Sequence, residues 1–309
     1  MAFIRIIKPG LLATVQDLGR WGHQAAGVPV AGPMDPYSHR LANLLVGNGE
    51  HAAAIETTLI GPEIAFETPA IFALTGADLS PRLDGKPLPT NTVCEAPAGG
   101  VLSFGARRRG ARTYLAIGGG VQVPEVFGSR ATHLISAMGG VSGRALRAGD
   151  RLETGEPVRP GPRVGRRLPP VVPPPEGGAI VRVRPGPQSE YFTEQALQTL
   201  ETARFTISTR SDRMGYRLDG PPLAHARGAD IMSDATPLGV IQVPASGQPI
   251  LLMADRQTTG GYPKIATVIT ADLALAGQLA PGDWIGFRAC TLREALKALI
   301  EQERPFVQS

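Results

Sequence analysis

The chain is poor in cysteine, with two in 309 residues, poor in aromatics at 5%, and modest in charge at 19%. Cys94 and Cys290 lie far apart. Two such thiols fit buried free thiols in a reducing compartment better than a disulfide framework. So few aromatic rings exclude the stacking platforms that hold single-stranded nucleic acid. No apolar run reaches the ~18 residues of a membrane-spanning helix, and the opening MAFIRIIKPG lacks the apolar segment of a secretory signal. A cytoplasmic protein without membrane contact is the expectation. The formal charge is +4. Its basic clusters (Arg107, Arg108 and Arg109; Arg159, Arg163, Arg166 and Arg167) have no aromatics between them and read as solvated turns, not a nucleic-acid footprint.

Glycine (38) and proline (29) are plentiful. They imply many turns and few long helices, hence a mainly β architecture. The length suits two domains. Residues 156–178, EPVRPGPRVGRRLPPVVPPPEGG, favour extended polyproline geometry and read as the linker between a first domain at 1–155 and a second at 179–309.

Asp35 followed by Pro36 predicts a helix over 36–46, with Tyr37, Leu41, Leu44 and Leu45 on its core face. The preceding loop is glycine-rich and holds Asp17, Arg20, Trp21 and His23; Asp17 and Arg20 read as a pair that pins it. Short strands separated by turns fill 53–152. Ser189 is placed to cap a helix carrying Phe192, Ala196, Leu197 and Leu200. Thr291 and Glu294 form a capping box for a last helix over 292–303, its apolar face made of Leu292, Leu296, Leu299 and Ile300. The halves echo each other: Lys8-Pro9-Gly10 resembles Arg184-Pro185-Gly186, and Gly149-Asp150-Arg151-Leu152 resembles Gly282-Asp283-Trp284-Ile285. A duplicated barrel-like unit is expected, with any cleft between the copies.

The densest polar stretch is 251–269, LLMADRQTTGGYPKIATVI. It reads as strand, loop, strand. Alternation places Leu251, Met253, Asp255 and Gln257 on one face. Gly260 and Gly261 permit positive φ and close backbone approach, and Lys264 adds a cation. An ordinary glycine hairpin and an anion-binding loop both fit this pattern. The 211–216 turn, with Asp212 and Arg213, is either pinned by local bonds or donates an acid and a base to a site. The triple glycine at 118–120 lacks the dinucleotide-binding spacing, and no GxxxxGK[ST] phosphate loop occurs.

Several segments, in order, carry a resemblance: Thr14-Val15-Gln16-Asp17-Leu18-Gly19-Arg20, Gly32-Pro33-Met34-Asp35, Leu74-Thr75-Gly76-Ala77-Asp78, Ser211-Asp212-Arg213-Met214-Gly215, and Asp255-Arg256-Gln257-Thr258-Thr259-Gly260-Gly261-Tyr262-Pro263. Together they resemble the family of the 5-oxoprolinase C-type component, also called the biotin-dependent carboxyltransferase or allophanate hydrolase subunit 2-like family. Only the proline-rich linker and the last few residues fall outside. The resemblance implies two cyclophilin-like β-barrel domains with a few short helices. It implies partnership with the B-type component of 5-oxoprolinase, which is kinase-inhibitor-like, and with its A-type component. The activity implied is ATP-dependent hydrolysis of 5-oxo-L-proline to L-glutamate, with ATP and magnesium. In fused relatives the module forms part of a urea carboxylase, where carboxybiotin meets urea; other relatives antagonise a sporulation kinase inhibitor. This chain has no biotin carboxylase module and no biotin-bearing Met-Lys-Met, which favours the stand-alone oxoprolinase component.

Opening a lactam after phosphorylation of its oxygen needs an anion cradle, positive charge and a base. The expected cradle is Thr258, Thr259, Gly260 and Gly261 with Lys264, flanked by Gln257 and Tyr262. Arg213 and Arg20 are the expected clamps for a carboxylate or phosphate, and Asp255 or Asp212 orients water. Nothing resembles a complete ATP site, which places ATP mainly on a partner. No metal ligands are expected.

Overall fold

The computed structural model describes residues 2–157 and 161–307. It is mostly β, as expected, and forms two compact units: Met1–Arg20, Ala31–Pro174 and Pro305–Ser309 in the first, Trp21–Val30 and Pro175–Arg304 in the second. The segment Trp21–Val30 therefore groups with the later unit although it precedes most of the first. Among the described residues no helix is long and apolar enough to cross a membrane.

In the first unit one sheet runs Val121–Gln122, Arg151–Thr154, Phe3–Lys8, Glu63–Phe66, Val101–Ser103, Arg82–Leu83, Lys86–Pro87. A second sheet runs Leu12–Gln16, Ala54–Thr58, Arg109–Ile117, Ala70–Asp78, Val93–Ala96. Ile4, Ile6, Val15, Ile55, Phe66, Phe72, Leu115 and Ile117 are all buried in one apolar cluster. Helix α1 (Pro36–Leu45) starts as expected: the Asp35 carboxylate accepts from Ser38 N–H at 2.9 Å. It packs on Ala70–Asp78 and Arg109–Ile117.

The entry to α1 is tied down by buried polar groups. Tyr114 OH donates to Glu56 Oε2 at 2.7 Å and accepts from Asp35 N–H at 2.8 Å, and the same carboxylate oxygen accepts from Met34 N–H at 2.8 Å. Tyr114→Phe keeps the ring and removes both phenol bonds. The expected loss in urea unfolding is about 1–3 kcal/mol, the cost of stripping partners from buried polar groups; a loss near zero would mean that these bonds do not hold the helix start.

Part of the proline-rich stretch is docked, not free. Thr92 bridges to Arg167, Val93 N–H bonds the Arg166 carbonyl at 2.9 Å, and Tyr37 OH accepts from Val171 N–H at 3.1 Å. Val158, Arg159 and Pro160 of that stretch lie outside the described residues.

The second unit contains a closed barrel in the order Gly178–Pro185, Lys264–Val268, Val240–Gln242, Ile250–Leu252, Gly215–Asp219, Arg204–Ile207, Trp284–Ala289. Val181, Phe205, Tyr216, Ile241, Leu251, Ile265 and Phe287 are buried there. The sequence echo between the halves does not extend to strand pairing. Phe3–Lys8 runs antiparallel to Arg151–Thr154, whereas Gly178–Pro185 runs parallel to Trp284–Ala289. Similar strand sequences record burial, not the direction of the neighbour.

Two helix expectations change, and one helix is new. Helix α2 (Glu194–Thr202) is capped by Thr193, whose hydroxyl accepts from Ala196 N–H at 3.1 Å; Ser189 instead opens a 3-10 turn. Helix α3 (Thr270–Gly277) went unforeseen. Its first turn is held by Asp272, which pairs with Arg182 Nε and Nη2 at 2.9 and 2.6 Å and accepts from Arg182 N–H. Helix α4 (Leu292–Val307) has the expected capping box, with Thr291 N–H donating to Glu294 and Glu294 N–H donating to the Thr291 hydroxyl. Its buried face differs: Ala298 and Gln302 face inward, and Leu292, Leu296 and Ile300 are more than half exposed. Gln302 Nε2 donates to the Ala271 carbonyl at 2.9 Å, so a polar bond fixes the rotation of the helix. Both cysteines are free and buried, as expected.

Candidate functional site

The polar residues after Ile250–Leu252 do not form a hairpin with Lys264–Val268. Val240–Gln242 lies between those two strands. The loop instead contributes its own short strand, Thr259–Gly260, paired with Asp234–Ala235. Gly260 and Gly261 are not in the left-handed region, so they do not make the handedness alternation of an anion nest. Gly260 lies close to two side-chain amides: a Cβ there would lie 2.6 Å from Gln242 Nε2 and 3.2 Å from Gln257 Nε2, and these amides would have to shift to admit it.

Arg213 and Asp255 are joined twice. Asp255 N–H donates to the Arg213 carbonyl at 2.9 Å. The guanidinium Nε and Nη2 donate to the two Asp255 oxygens at 2.9 and 3.1 Å. Both side chains are less than a tenth exposed. This fork ties the 211–215 turn to the loop that begins at Asp255, and each charge makes burial of the other tolerable.

Asp212, Gln257 and Tyr262 line a cavity of about 230 Å³ together with Arg210, Arg217 and Gln242. Arg213 and Asp255 do not line it. Asp212 Oδ1 accepts from the N–H groups of Met214 and Gly215 at 2.8 and 3.3 Å, so the acid shapes the turn. Gln257 Nε2 donates to Gln242 Oε1 at 3.3 Å, and Gln242 Nε2 donates to the Tyr262 carbonyl at 3.4 Å. Amide dipoles and two arginines thus surround the space.

Lys264 is placed differently from its expected role. Its side chain is buried and its Nζ is held by the Asp234 carboxylate, whose own side chain is about half exposed at 53%. The Lys264 hydrogen bond holds the Asp234 carboxyl below the usual carboxylate range. The lysine charge is therefore matched across the Asp234–Ala235 and Thr259–Gly260 ladder. Thr258 lends its carbonyl to Thr236 N–H, and the Gly261 carbonyl accepts from Ile231 N–H. Arg20 belongs to the first unit. Its guanidinium is buried and donates to the carbonyls of Val126 and Ala131, while Asp17 accepts from Gly19 N–H, Ser129 Oγ and Arg130 N–H.

Sequence reasoning passed over Arg256. It is buried, lines a second cavity with Trp21, Gln257 and Thr258, and burial lowers its pKa from the ordinary arginine value. The sequence signal was faint: an arginine between Asp255 and Gln257, on the face opposite to the one that alternation marked.

The carboxyltransferase domain model, with both its subdomains, matches residues 26–289. The chain belongs to this family. Among its relatives, it is 41% identical over 308 residues to the C-type component of Escherichia coli 5-oxoprolinase, covering 99% of this chain and 97% of the relative. It is 38% identical to the C-type component of Haemophilus influenzae 5-oxoprolinase, over 92% of this chain and 90% of that protein. Among solved structures, Kluyveromyces lactis urea amidolyase superposes with a TM-score of 0.87 at 33% identity, over 98% of this chain but 19% of that one. The solved protein TTHA0988 gives a TM-score of 0.84 at 37% identity, over 93% of this chain and 55% of that one. The chain thus corresponds to one part of those longer solved proteins and to nearly the whole of the 5-oxoprolinase relatives.

Proposed function

We propose that the chain is one component of an ATP-dependent 5-oxoprolinase complex that hydrolyses 5-oxo-L-proline to L-glutamate, active only with its A-type and B-type partners. The observation that carries this reading is the near end-to-end match to proteins named as the C-type component of 5-oxoprolinase. In this reading the cavity lined by Asp212, Gln257 and Tyr262 receives the lactam or its phosphorylated form. Arg210 and Arg217 at the cavity supply positive charge for developing anionic oxygens, the Gln242 and Gln257 amides orient them, and Asp212 orients water. Arg213 and Asp255 position the two loops instead of touching substrate. Thr258, Thr259 and Gly260, with Lys264 matched by Asp234, keep the Gln257 amide in place.

ATP is a substrate of that reaction and binds mainly on a partner. Among the described residues no group of three or more His, Cys, Asp or Glu is placed to hold a metal ion. The fused urea amidolyase relatives support a second reading, a biotin-dependent carboxyltransferase component acting on a urea-like amide.

The test is glutamate release from 5-oxoproline and ATP by the chain alone and with its two co-expressed partners. Release only from the full set is expected. Release that does not need this chain, or no release from the full set while carboxybiotin-dependent carboxylation of urea proceeds, would overturn the reading. Tyr262→Ala and Gln257→Ala, at the cavity wall, are expected to lower turnover about tenfold or more without a matching loss of stability.

A further inference from the structure

The second cavity holds a feature the oxoprolinase reading does not use. Its volume is about 270 Å³, and its walls include Trp21, Gln24, Val30, Pro237, Arg256 and Thr258. All of them belong to the second unit. Arg256 is 8% exposed. Its Nε donates to the Thr236 carbonyl at 2.7 Å. Among the described residues its two terminal nitrogens make no hydrogen bond, and neither is sealed from solvent. No carboxylate lines the cavity. The neighbouring Asp255 has both oxygens on Arg213. A guanidinium nine-tenths buried, whose outer edge meets only solvent, keeps donor capacity for an anionic ligand.

The geometry points to a small organic acid as the missing partner: we propose that this cavity is a carboxylate subsite, with Arg256 as the anchor and the Trp21 indole covering the apolar body of the ligand. A planar fork of two N–H donors matches a carboxylate two to two. The other walls suit an apolar ring or short chain, since Val30 and Pro237 offer hydrocarbon and Gln24 and Thr258 offer single polar contacts. Trp21 is 59% exposed and its indole forms an outer wall of the cavity. A phosphate, with more charge, would ask for a second cation that this cavity does not contain. Gln257 lines both this cavity and the one assigned to the lactam, so an acid bound here touches the same amide. The inference stands on this geometry and not on the oxoprolinase assignment.

The experiment is calorimetric titration of the full chain with cyclopentanecarboxylate, its neutral isostere cyclopentanecarboxamide, and inorganic phosphate, with tryptophan fluorescence read in parallel. The acid is expected to bind about tenfold or more tightly than the amide and more tightly than phosphate, as one charge-assisted pair requires. Arg256→Gln is expected to erase the preference for the acid. Should that variant not fold, Trp21→Ala at the exposed position carries the test: weaker binding of the acid by about threefold or more, and loss of the fluorescence response. Equal affinity for acid and amide, tighter binding of phosphate, or binding of the acid unchanged in Trp21→Ala would each overturn the subsite. Turnover of 5-oxoproline enters none of these readouts, so failure of the oxoprolinase reading leaves an acid-over-amide preference standing, and the reverse also holds.

Discussion

Arg213→Met is expected to destabilise the second unit by about 3–5 kcal/mol, the usual cost of leaving one member of a buried ion pair alone. The pair is bidentate and both side chains are nearly sealed. Removing the arginine strips the buried carboxylate of both guanidinium bonds in a region of low dielectric, and Asp255→Leu strips the guanidinium of the same two bonds. The double variant Arg213→Met/Asp255→Leu removes both charges and is expected to regain much of the loss, since apolar replacements of similar volume often match a buried pair. The measurement is a double-mutant cycle in urea unfolding, followed by glutamate release from the reconstituted complex. A positioning pair predicts that the double variant is folded yet slow, because the fork no longer holds the 211–215 turn against the loop that carries Gln257. Single variants as stable as the parent chain would remove the pair from the account, and a stable, fully active double variant would show that the loops hold without it.

Mild acid is expected to weaken the first unit through His39. The imidazole is fully buried on α1, and burial pushes its pKa down to about 4. Its Nε2 lies 3.0 Å from the Gln16 carbonyl and must donate, because a carbonyl only accepts. Nδ1 then stays unprotonated, and it has no partner among the described residues. Protonation would add an N–H with nothing to receive it, beside the Tyr114 ring at 6.0 Å. The sign follows from linkage. The unfolded chain takes up the proton near pH 6.5 and the folded chain only near pH 4, so stability present at pH 7 is lost as pH falls through that window. The share due to His39 is about 2 kcal/mol at pH 5. Urea midpoints at pH 7 and pH 5 are to be compared between the parent chain and His39→Gln, which keeps a donor toward Gln16 and does not titrate. A flatter pH dependence in the variant is expected; equal slopes would assign the acid sensitivity to other groups.

Local chemistry was legible from the sequence. Asp35 before Pro36 and Thr291 before Glu294 mark helix starts because a cap needs only groups within one turn. The long-range bonds were not legible. Helix α3 has a cap residue, Ile269, that offers no side-chain oxygen, and its sequence TADLALAG is apolar around much of its circumference, so neither cap nor stripe announced it. On α4 the leucine face looked like the core, but the Gln302 bond to Ala271 turns Ala298 inward. The candidate site divided in the same way. The Asp255 to Tyr262 stretch stood out by its polar density. The pairings Arg213 with Asp255 and Lys264 with Asp234 join residues 42 and 30 positions apart and needed the barrel to exist first.

By itself the sequence determined the mainly β class, the starts of α1 and α4, the free cysteines and, through its ordered motifs, the family. These rest on composition and on contacts within a few residues, where chain connectivity already sets the geometry. The tertiary structure alone decided that Trp21–Val30 groups with the later unit, that one terminal strand pairs antiparallel and its counterpart parallel, and which charges neutralise one another. It also decided that Arg256 reaches a cavity without a carboxylate of its own. The reason is physical: whether a charged side chain is a support or a ligand site depends on what the fold brings within about 3 Å of it, and sequence spacing carries no such distance.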